Sequence, residues 1–257
     1  MTKIMGIVNI TPDSFSDGGR WFDHDAALAH ARDLLAQGAD MIDVGGESTR
    51  PGAPRVDEAE EIRRVVPLVE ALAAEGVVVS VDTMRSATAK ASVDAGAAII
   101  NDVSGGLADP AMFGVVAASG AEYVLMHWRA HSDVMQEAAD YDDVVSDVVR
   151  ELLVQRDAAV AAGIAHDRII LDPGLGFSKT GEHNWELLRR LDAFQALGHR
   201  VLVGASRKRF LTGARDRDVA TAMITAWSAW HGAWAVRTHD VALQLDGVFV
   251  GEKLRSR

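Results

Sequence analysis

The chain has no cysteine among its 257 residues, and this absence excludes several kinds of chemistry. Disulfide bridges, thiolate metal sites and cysteine nucleophiles are all impossible. Long apolar runs are also missing, since no stretch approaches the roughly 18 uninterrupted apolar residues that cross a bilayer. The N-terminal segment lacks the charged start and the full apolar run of a signal peptide. We therefore expect a cytoplasmic protein with no membrane-spanning segment.

Positive charge is scarce as well. Lys and Arg number 26 against 37 Asp and Glu, which gives a formal net charge of −11. Proteins that bind nucleic acids or anionic membranes take their affinity from clustered Lys and Arg, so this balance argues against both kinds of partner. An anionic small molecule stays compatible with it, because a local cationic pocket can sit on an acidic surface.

The chain does contain a regular alternation of short apolar runs and longer helical stretches. Near-continuous apolar runs are typical of strands buried on both faces of a parallel sheet. The predicted strands cover residues 3–9, 40–44, 77–82, 98–102, 122–127, 168–172, 200–203 and 234–237. The predicted helices cover residues 25–37, 57–75, 85–95, 109–119, 143–162, 184–191, 220–232 and 240–253.

This alternation favours an α/β fold of the (β/α)8 TIM barrel type in a single domain, with an open doubly wound sheet as the alternative. The length of 257 residues is close to the roughly 250 typical of such a barrel. A glycine follows most of the predicted helices, at a position where the left-handed conformation is favoured. These glycines are Gly38, Gly76, Gly96, Gly120, Gly163 and Gly232.

Polar residues and glycines collect directly after the predicted strands. In a TIM barrel the carboxyl ends of the strands meet at one mouth, where barrel enzymes keep their active sites. The candidates at these ends are Asn9, Asp82, Asn101, His127, Asp172, Ser206, Lys208, Arg237 and His239. Their recurrence along the whole chain indicates an enzyme.

Three of these side chains suit recognition of a flat heterocycle. The carboxylates of Asp82 and Asp172 can each accept two parallel hydrogen bonds from a ring N–H and an exocyclic amine, and Asn101 can both donate and accept. Each aspartate alone could instead serve as a cap, Asp82 for a helix near Arg85 and Asp172 for a Pro-Gly turn. The three together favour a pocket.

Cations follow the last two predicted strands, in the sector where barrels often bind phosphate. They are Arg207, Lys208, Arg209, Arg237 and His239. In an acidic chain this cluster suggests an anionic ligand. For Arg207 and Arg209 the alternative is a pair of solvated charges at the start of a helix.

Eight motifs, one near each strand end, run in order along the chain. They are MGIVNITPDSFSDGG at 5–19, DVGGESTRPG at 43–52, SVDT at 80–83, INDVSGG at 100–106, LMH at 125–127, LDPGLGFSKT at 171–180, GASRKRF at 204–210 and VRTHDV at 236–241. Together they resemble the motifs of the dihydropteroate synthase family. The resemblance covers essentially the whole chain.

The resemblance implies a reaction, a cofactor and an assembly. 6-Hydroxymethyl-7,8-dihydropterin pyrophosphate would condense with p-aminobenzoate to give 7,8-dihydropteroate and pyrophosphate, with Mg²⁺ as the cofactor. Sulfonamides compete with p-aminobenzoate in this family. The family, together with the Trp-rich last helices, also suggests a homodimer.

The resemblance further implies a role for each matching residue. It assigns the pterin to Asp82, Asn101, Asp172 and Lys208. It assigns pyrophosphate to Asn9, Arg237 and His239, with Asn9 linked to the metal. It assigns p-aminobenzoate to Phe15, Thr49, Arg50, Pro51, Phe177 and Ser206. The implied catalytic set is Asn9, Asp17, Lys208, Arg237 and His239, with Asp17 on a first-loop lid facing the developing cation.

Two rival interpretations and one departure from the family pattern accompany this assignment. A pterin-binding methyltransferase barrel should lack the lid, the TRP segment at 49–51 and Lys208, all of which are present here. A non-catalytic pterin-binding paralogue is the other rival. The departure is Ala220-Thr221, where the family commonly has Gly-Thr, and it leaves the start of the seventh predicted helix open.

Overall fold

The structure, a computed structural model, describes residues 1–10, 20–47, 56–130 and 139–256. Its parallel strands close into a barrel in chain order, with β8 hydrogen-bonded to β1. The strands are β1 Lys3–Asn9, β2 Met41–Gly45, β3 Val79–Asp82, β4 Ile99–Asp102, β5 Glu122–Met126, β6 Ile169–Asp172, β7 Arg200–Val203 and β8 Ala235–Thr238. The predicted TIM barrel is therefore confirmed, and the open-sheet alternative is wrong.

Helices connect the strands on the outside of the barrel. They are α1 Arg20–Gln37, α2 Glu58–Ala74, α3 Ser86–Asp94, α4 Met112–Ser119, α5 Val144–Ala161, α6 Gly181–Arg189, α7 Leu191–Gln195, α8 Arg217–Trp230 and α9 Ala242–Arg255. Every predicted helix overlaps an observed one. The prediction missed α7, a short helix that follows α6 in the same connection.

Capping side chains explain why two helices begin earlier in the chain than predicted. The seventh predicted helix was placed from residue 220, whereas α8 begins at Arg217. Asp216 ends the preceding turn and accepts hydrogen bonds from the backbone N–H groups of Asp218 at 2.8 Å and Val219 at 3.2 Å. Thr180 caps α6 in the same way, accepting from the N–H of His183 at 3.2 Å. A capping oxygen satisfies N–H groups that the first turn leaves without a partner.

The six glycines predicted to end helices all adopt the left-handed conformation. Their φ angles lie between 77° and 110°. A residue with a Cβ atom is strained in this region, so glycine allows the chain to leave the helix and turn into the next strand. The prediction for these positions is confirmed.

The alternation of side chains along the strands builds a floor and a mouth inside the barrel. Apolar side chains from seven strands form one small cluster: Met5, Met41, Ile99, Val124, Ile170, Leu202 and Ala235. Residues two positions further along a strand face the same side, one layer nearer the carboxyl end. Those positions hold Ile7, Asp43, Asn101, Met126, Asp172, Gly204 and Arg237. An apolar floor thus lies beneath a layer that carries charged and amide side chains.

The last two helices pack closely and leave an apolar outer face. A Cβ atom on Gly247 would lie 2.6 Å from the carbonyl oxygen of Ala222, and one on Gly251 would collide with that of Ala226, so the backbones of α8 and α9 nearly touch. Met223 on α8 and Phe249 on α9 are 69% and 61% exposed. None of the helices within the described residues is long and apolar enough to cross a membrane.

Candidate functional site at the mouth of the barrel

An ion-pair network joins three strands at the mouth. Arg237 on β8 donates from Nε to Asp43 Oδ2 on β2 at 2.5 Å and from Nη2 to Asp82 Oδ2 on β3 at 2.8 Å. Asn101 on β4 donates from Nδ2 to the same oxygen of Asp43 at 3.1 Å. The two carboxylates therefore share one guanidinium, which holds their positions relative to one another and to the amide.

The buried carboxylates of this network can accept further hydrogen bonds. Burial raises the pKa of Asp82 to about 7, although the Arg237 guanidinium acts in the opposite direction. Asp43 is fully buried, and its Oδ1 atom has no hydrogen-bond partner among the described residues. A buried acceptor without a partner costs free energy, so such atoms point to a bound group that would satisfy them.

Asp172 and Lys208 lie on the other side of the mouth, close to the same network. A Cβ atom built on Gly204 would lie 3.8 Å from Lys208 Nζ, 3.9 Å from Asp172 Oδ2 and 4.0 Å from Arg237 Cβ. The absence of a side chain at Gly204 thus keeps open a space bordered by all three residues. Residues that are remote in the sequence meet around one site.

The carboxylate of Asp172 serves two purposes. Its Oδ1 atom accepts a hydrogen bond from the backbone N–H of Gly174 at 2.7 Å, which fixes the turn after β6. Its Oδ2 atom faces the space at Gly204. Burial raises the pKa of Asp172, and the positive charge of Lys208 opposes that rise. Both sequence interpretations of Asp172, turn cap and pocket residue, are therefore compatible with its geometry.

The capping interpretation of Asp82 is wrong. Helix α3 has Arg85 as its N-cap residue, and that residue makes no side-chain capping bond. The hydrogen bond that stabilises this turn runs from Arg85 N–H to Thr83 Oγ1 at 3.1 Å. The Asp82 carboxylate bonds to Arg237 in the mouth instead.

Lys208 reaches the mouth from the segment after β7. Its Nζ atom donates to the carbonyl oxygen of Leu175 and lies 4.8 Å from the centre of the Phe177 ring. Burial lowers the pKa of Lys208 to about 8, and the carboxylate of Asp172 limits that fall. Lys208 therefore connects the buried acid of β6 with the aromatic ring of the next loop.

Asn9 lies at the end of β1 beside the same network. Its Oδ1 atom is 2.9 Å from the position that a Cβ atom on Gly45 would occupy, and the Cβ of Asp82 is 3.7 Å from that position. Glycine at position 45 thus makes room for the Asn9 amide next to Asp82.

Ser206 and His239 form a pair on the remaining side of the mouth. Ser206 Oγ lies 2.9 Å from His239 Nδ1 and accepts from the backbone N–H of His239 at 3.1 Å. The resemblance assigns these two residues to different substrates, p-aminobenzoate and pyrophosphate. The two side chains are in direct contact, whereas the subsites themselves stay predictions.

Arg207 and Arg209 do not join the mouth network. Arg207 donates from Nε to Asp218 in the first turn of α8 at 2.8 Å, and the side chains of both arginines are exposed. The alternative interpretation, solvated charges near a helix start, is confirmed for this pair.

Several predicted site residues lie outside the described part of the chain. They are Phe15 and Asp17 in the first loop and Thr49, Arg50 and Pro51 after β2. Their roles stay predictions. Within the described residues, the structure brings together Asn9, Asp82, Asn101, Asp172, Phe177, Ser206, Lys208, Arg237 and His239 at one end of the barrel.

Asp43 and Lys179 are buried charged residues near the mouth that are absent from the predicted site. Asp43 interrupts the apolar run of β2 two residues after Met41. Lys179 is 3% exposed, and its Nζ lies 2.9 Å from His127 Nδ1. A charged residue at an inward strand position is the signal that could have identified Asp43. No comparable pattern marks Lys179, because it lies in a loop.

Comparison with known proteins identifies the class. Residues 5–239 match the family described as pterin binding enzyme. The dihydropteroate synthase of Mycobacterium leprae is 50% identical, over 96% of this chain and 92% of its own length.

Solved structures agree with this class. A Clostridium difficile dihydropteroate synthase, crystallised in the presence of pteroic acid, has a TM-score of 0.93 at 37% identity, covering 100% of this chain and 97% of its own. The Xanthomonas albilineans enzyme with 4-aminobenzoic acid has a TM-score of 0.91 at 42% identity, covering 100% and 94%. The chain belongs to the pterin binding enzymes and, within them, to the dihydropteroate synthase family.

Proposed function

We propose that the chain condenses 6-hydroxymethyl-7,8-dihydropterin pyrophosphate with p-aminobenzoate, releasing pyrophosphate and 7,8-dihydropteroate. One observation carries this proposal: Asp172, Lys208 and Arg237 border a single space above Gly204. Acidic groups for an aminopyrimidine and cationic groups for a diphosphate are thus adjacent. The relatives crystallised in the presence of pteroic acid or with 4-aminobenzoic acid support the same pair of substrates.

The pterin ring would bind between the two sides of the mouth. Asp172 Oδ2 would accept from the donors of the pyrimidine edge, and Asp82 with Asn101 would complete that edge. Lys208 would donate to the ring carbonyl. Each of these contacts pairs a polar atom of the ring with a buried partner. The site should therefore bind a ring with this pattern of donors and acceptors more tightly than a ring that leaves the buried groups unpaired.

The reaction breaks the bond between the pterin methylene carbon and pyrophosphate and forms a bond from that carbon to the arylamine nitrogen, which loses a proton. Positive charge develops on the methylene while negative charge develops on the leaving group. Arg237 and His239 would hold the leaving pyrophosphate, and Asp17 would face the cation. Charges placed in advance in a water-poor site lower the barrier without reorganising during the reaction.

The residues present fit a magnesium ion held partly by the substrate. The amide oxygen of Asn9 is the kind of hard ligand that Mg²⁺ prefers, and it lies next to Gly45, where a Cβ atom would take its space. Magnesium is often held by one or two protein oxygens together with substrate phosphates rather than by a protein cage. When bound, the ion would offset the charge that builds up on the pyrophosphate.

The second substrate would enter beside Phe177 and Ser206. The Phe177 ring is partly exposed and lies under the Lys208 ammonium group, so it offers an apolar face next to a cation. An aromatic amine that carries a carboxylate matches both features. Phe15, Thr49, Arg50 and Pro51 are proposed to complete this pocket.

A homodimer is proposed from the outer face of α8 and α9. Its exposed apolar side chains include Met223, Trp227, Trp230, Phe249 and Leu254. Exposed apolar patches of this kind favour association between proteins.

We further propose that the chain is one domain, because one barrel uses strands from Lys3 to Thr238. Its proposed location is the cytoplasm, in keeping with its cysteine-free sequence.

Release of pyrophosphate tests the proposed function directly. The chain is mixed with the pterin pyrophosphate, p-aminobenzoate and Mg²⁺, and pyrophosphate is measured over time. We expect release that requires both substrates together. Binding of the pterin without release would contradict the proposal and support the non-catalytic paralogue.

A further inference from the structure

The loop between β6 and α6 carries Phe177, and its backbone has an unusual course. Gly174, Gly176 and Ser178 have φ angles of 68°, 82° and 47°. The left-handed region is unfavourable for serine, and Ser178 adopts it although it is not a glycine. Its side chain is fully buried. Such a backbone persists only where the surrounding groups determine it. The contacts that hold this loop therefore decide where the Phe177 ring lies.

Besides the bond between Gly174 N–H and Asp172, hydrogen bonds with four more side chains hold the loop. The side chain of Asn184 accepts from Gly176 N–H at 2.5 Å, and Tyr141 Oη donates to Ser178 O at 3.0 Å. Lys208 donates to Leu175 O, and Lys179 donates to Phe177 O at 3.0 Å. Of these four, Lys179 is the one bonded to the backbone of Phe177 itself.

Lys179 is the buried end of a chain of polar groups that starts at the partly exposed Glu151 on α5. Glu151 Oε2 lies 2.9 Å from His127 Nε2, and His127 Nδ1 lies 2.9 Å from Lys179 Nζ. An ammonium group is a donor only, so His127 accepts at Nδ1 and donates from Nε2 to the carboxylate. Arg129 fixes the same carboxylate by donating from Nε to Glu151 Oε2 at 3.0 Å. Helix α5 and strand β5 are thus connected to the Phe177 loop.

The burial of Lys179 argues that this connection has a use beyond packing. Burial lowers the pKa of Lys179 to about 7, which shows the cost of placing an ammonium group there. A methionine of similar length would fill the same volume without that cost. The ammonium group of Lys179, however, makes two directed hydrogen bonds, to His127 and to Phe177 O, that an apolar side chain cannot make.

We infer that Lys179 is a positioning residue for the second substrate: it holds the Phe177 backbone so that the phenyl ring lies beneath Lys208 at the p-aminobenzoate pocket. This inference rests on the proposed function. Asp82 and Asn101 of the pterin site are fixed by contacts on other strands. Asp172 is fixed by the N–H of Gly174 at the start of this loop, and the Lys179 charge also opposes the rise of its pKa. Because most of the pterin contacts are independent of Lys179, loss of its bonds should impair p-aminobenzoate more than the pterin.

The test separates the KM values of the two substrates by measuring pyrophosphate release. In Lys179→Met we expect the KM for p-aminobenzoate to rise about tenfold or more, as the loss of a charge-assisted hydrogen bond implies. The KM for the pterin pyrophosphate should change less than about threefold, within the neutral range of such substitutions. Lys90→Met, at an exposed site on α3, is the matched control and should leave both values unchanged.

A milder variant keeps the inference testable if Lys179→Met does not fold. Glu151→Gln removes the charge that fixes His127, and we expect a smaller rise in the p-aminobenzoate KM with the pterin KM unchanged. Equal changes in both KM values, or no change in either, in the variants that fold would overturn the inference while leaving the proposed function in place. A wild-type chain that releases no pyrophosphate would overturn both.

Discussion

The Asp172 carboxylate is the group on which binding of the pterin should depend most. One of its oxygens fixes the turn at Gly174, and the other faces the space above Gly204. Because the two oxygens have separate partners, replacing one of them by an amide nitrogen affects the ligand and the turn differently. A single substitution can therefore test its role.

Asp172→Asn should weaken pterin binding by about a hundredfold or more, since each ring donor left without an acceptor costs roughly 1–3 kcal/mol. The measurement is the dissociation constant of a pterin by calorimetry. Asp157→Asn on α5, where the side chain is 71% exposed, is the control and should bind like the wild type. An unchanged constant in Asp172→Asn would remove the residue from the pterin site.

The pKa of His127 leads to a prediction about how stability depends on pH. Burial, reinforced by the neighbouring Lys179 charge, lowers its pKa to about 4 from the usual 6.5. Between these two pH values the unfolded imidazole binds a proton that the folded one does not, so the contribution of His127 to stability should rise with pH over that window. The shift corresponds to a difference on the order of 3 kcal/mol. The raised pKa of Asp82 acts on stability in the opposite direction.

The check is the free energy of unfolding, measured by urea denaturation at several pH values across that window. His127→Gln should lose this contribution, so its free energy of unfolding should rise less with pH, or fall more, than that of the wild type over this range. His30→Gln on α1, on the other side of the barrel, should keep the wild-type slope. Parallel curves for the wild type and His127→Gln would contradict the assignment of a buried neutral imidazole.

Among the structural elements, the loop from β6 to α6 has little freedom to accept a larger side chain. Gly174 has a φ of 68°, and a Cβ atom there would collide with the carbonyl oxygen of His127. The first residue of α6, Gly181, has no atom within 4 Å of its Cβ position. The two glycines therefore make a matched pair for substitution.

Gly174→Ala should destabilise the protein by about 1–3 kcal/mol, because both the backbone angle and the space oppose a methyl group. Gly181→Ala should be neutral or slightly stabilising, since alanine is the better helix former. Urea denaturation of the two variants measures the difference. Equal stabilities would show that the loop can move away from β5.

Strands and mouth residues were predictable from the sequence because they follow from local patterns. Buried parallel strands give continuous apolar runs, and polar residues that end such runs mark the mouth. Asp43 was not predicted because it lies inside its strand. Only its position two residues after the inward-facing Met41 indicates that it faces the barrel interior. Lys179 escaped because its position depends on left-handed loop residues and on His127, which is distant in sequence. The break between α6 and α7 at Arg190 likewise has no glycine or proline to mark it.

At the scale of the whole molecule, the outer face of α8 and α9 is a large feature that the barrel itself does not use. Gly247 and Gly251 bring the two helices close together, so the exposed apolar side chains of both helices lie on adjacent elements. Trp227 and Trp230 keep 39% and 42% of their surface exposed. Burying this face against a second copy of the chain would remove apolar surface from water.

Met223→Asp should convert the proposed dimer to a monomer, because it places a charge at the proposed interface. Light scattering coupled to size exclusion gives the mass. Val154→Asp on α5, where the original side chain is 59% exposed, is the control and should remain dimeric. A monomeric wild type, or a dimeric Met223→Asp variant, would contradict the proposed interface.

The proposed function requires that side chains from separate strands form one pocket for a pterin and its pyrophosphate. A crystal structure of the chain with a bound pterin pyrophosphate would show this pocket directly. We predict the aminopyrimidine edge within hydrogen-bond distance of Asp172, the ring carbonyl at Lys208 and the diphosphate at Arg237 and His239. A pterin bound away from Asp172, or a diphosphate directed away from β8, would contradict the proposal.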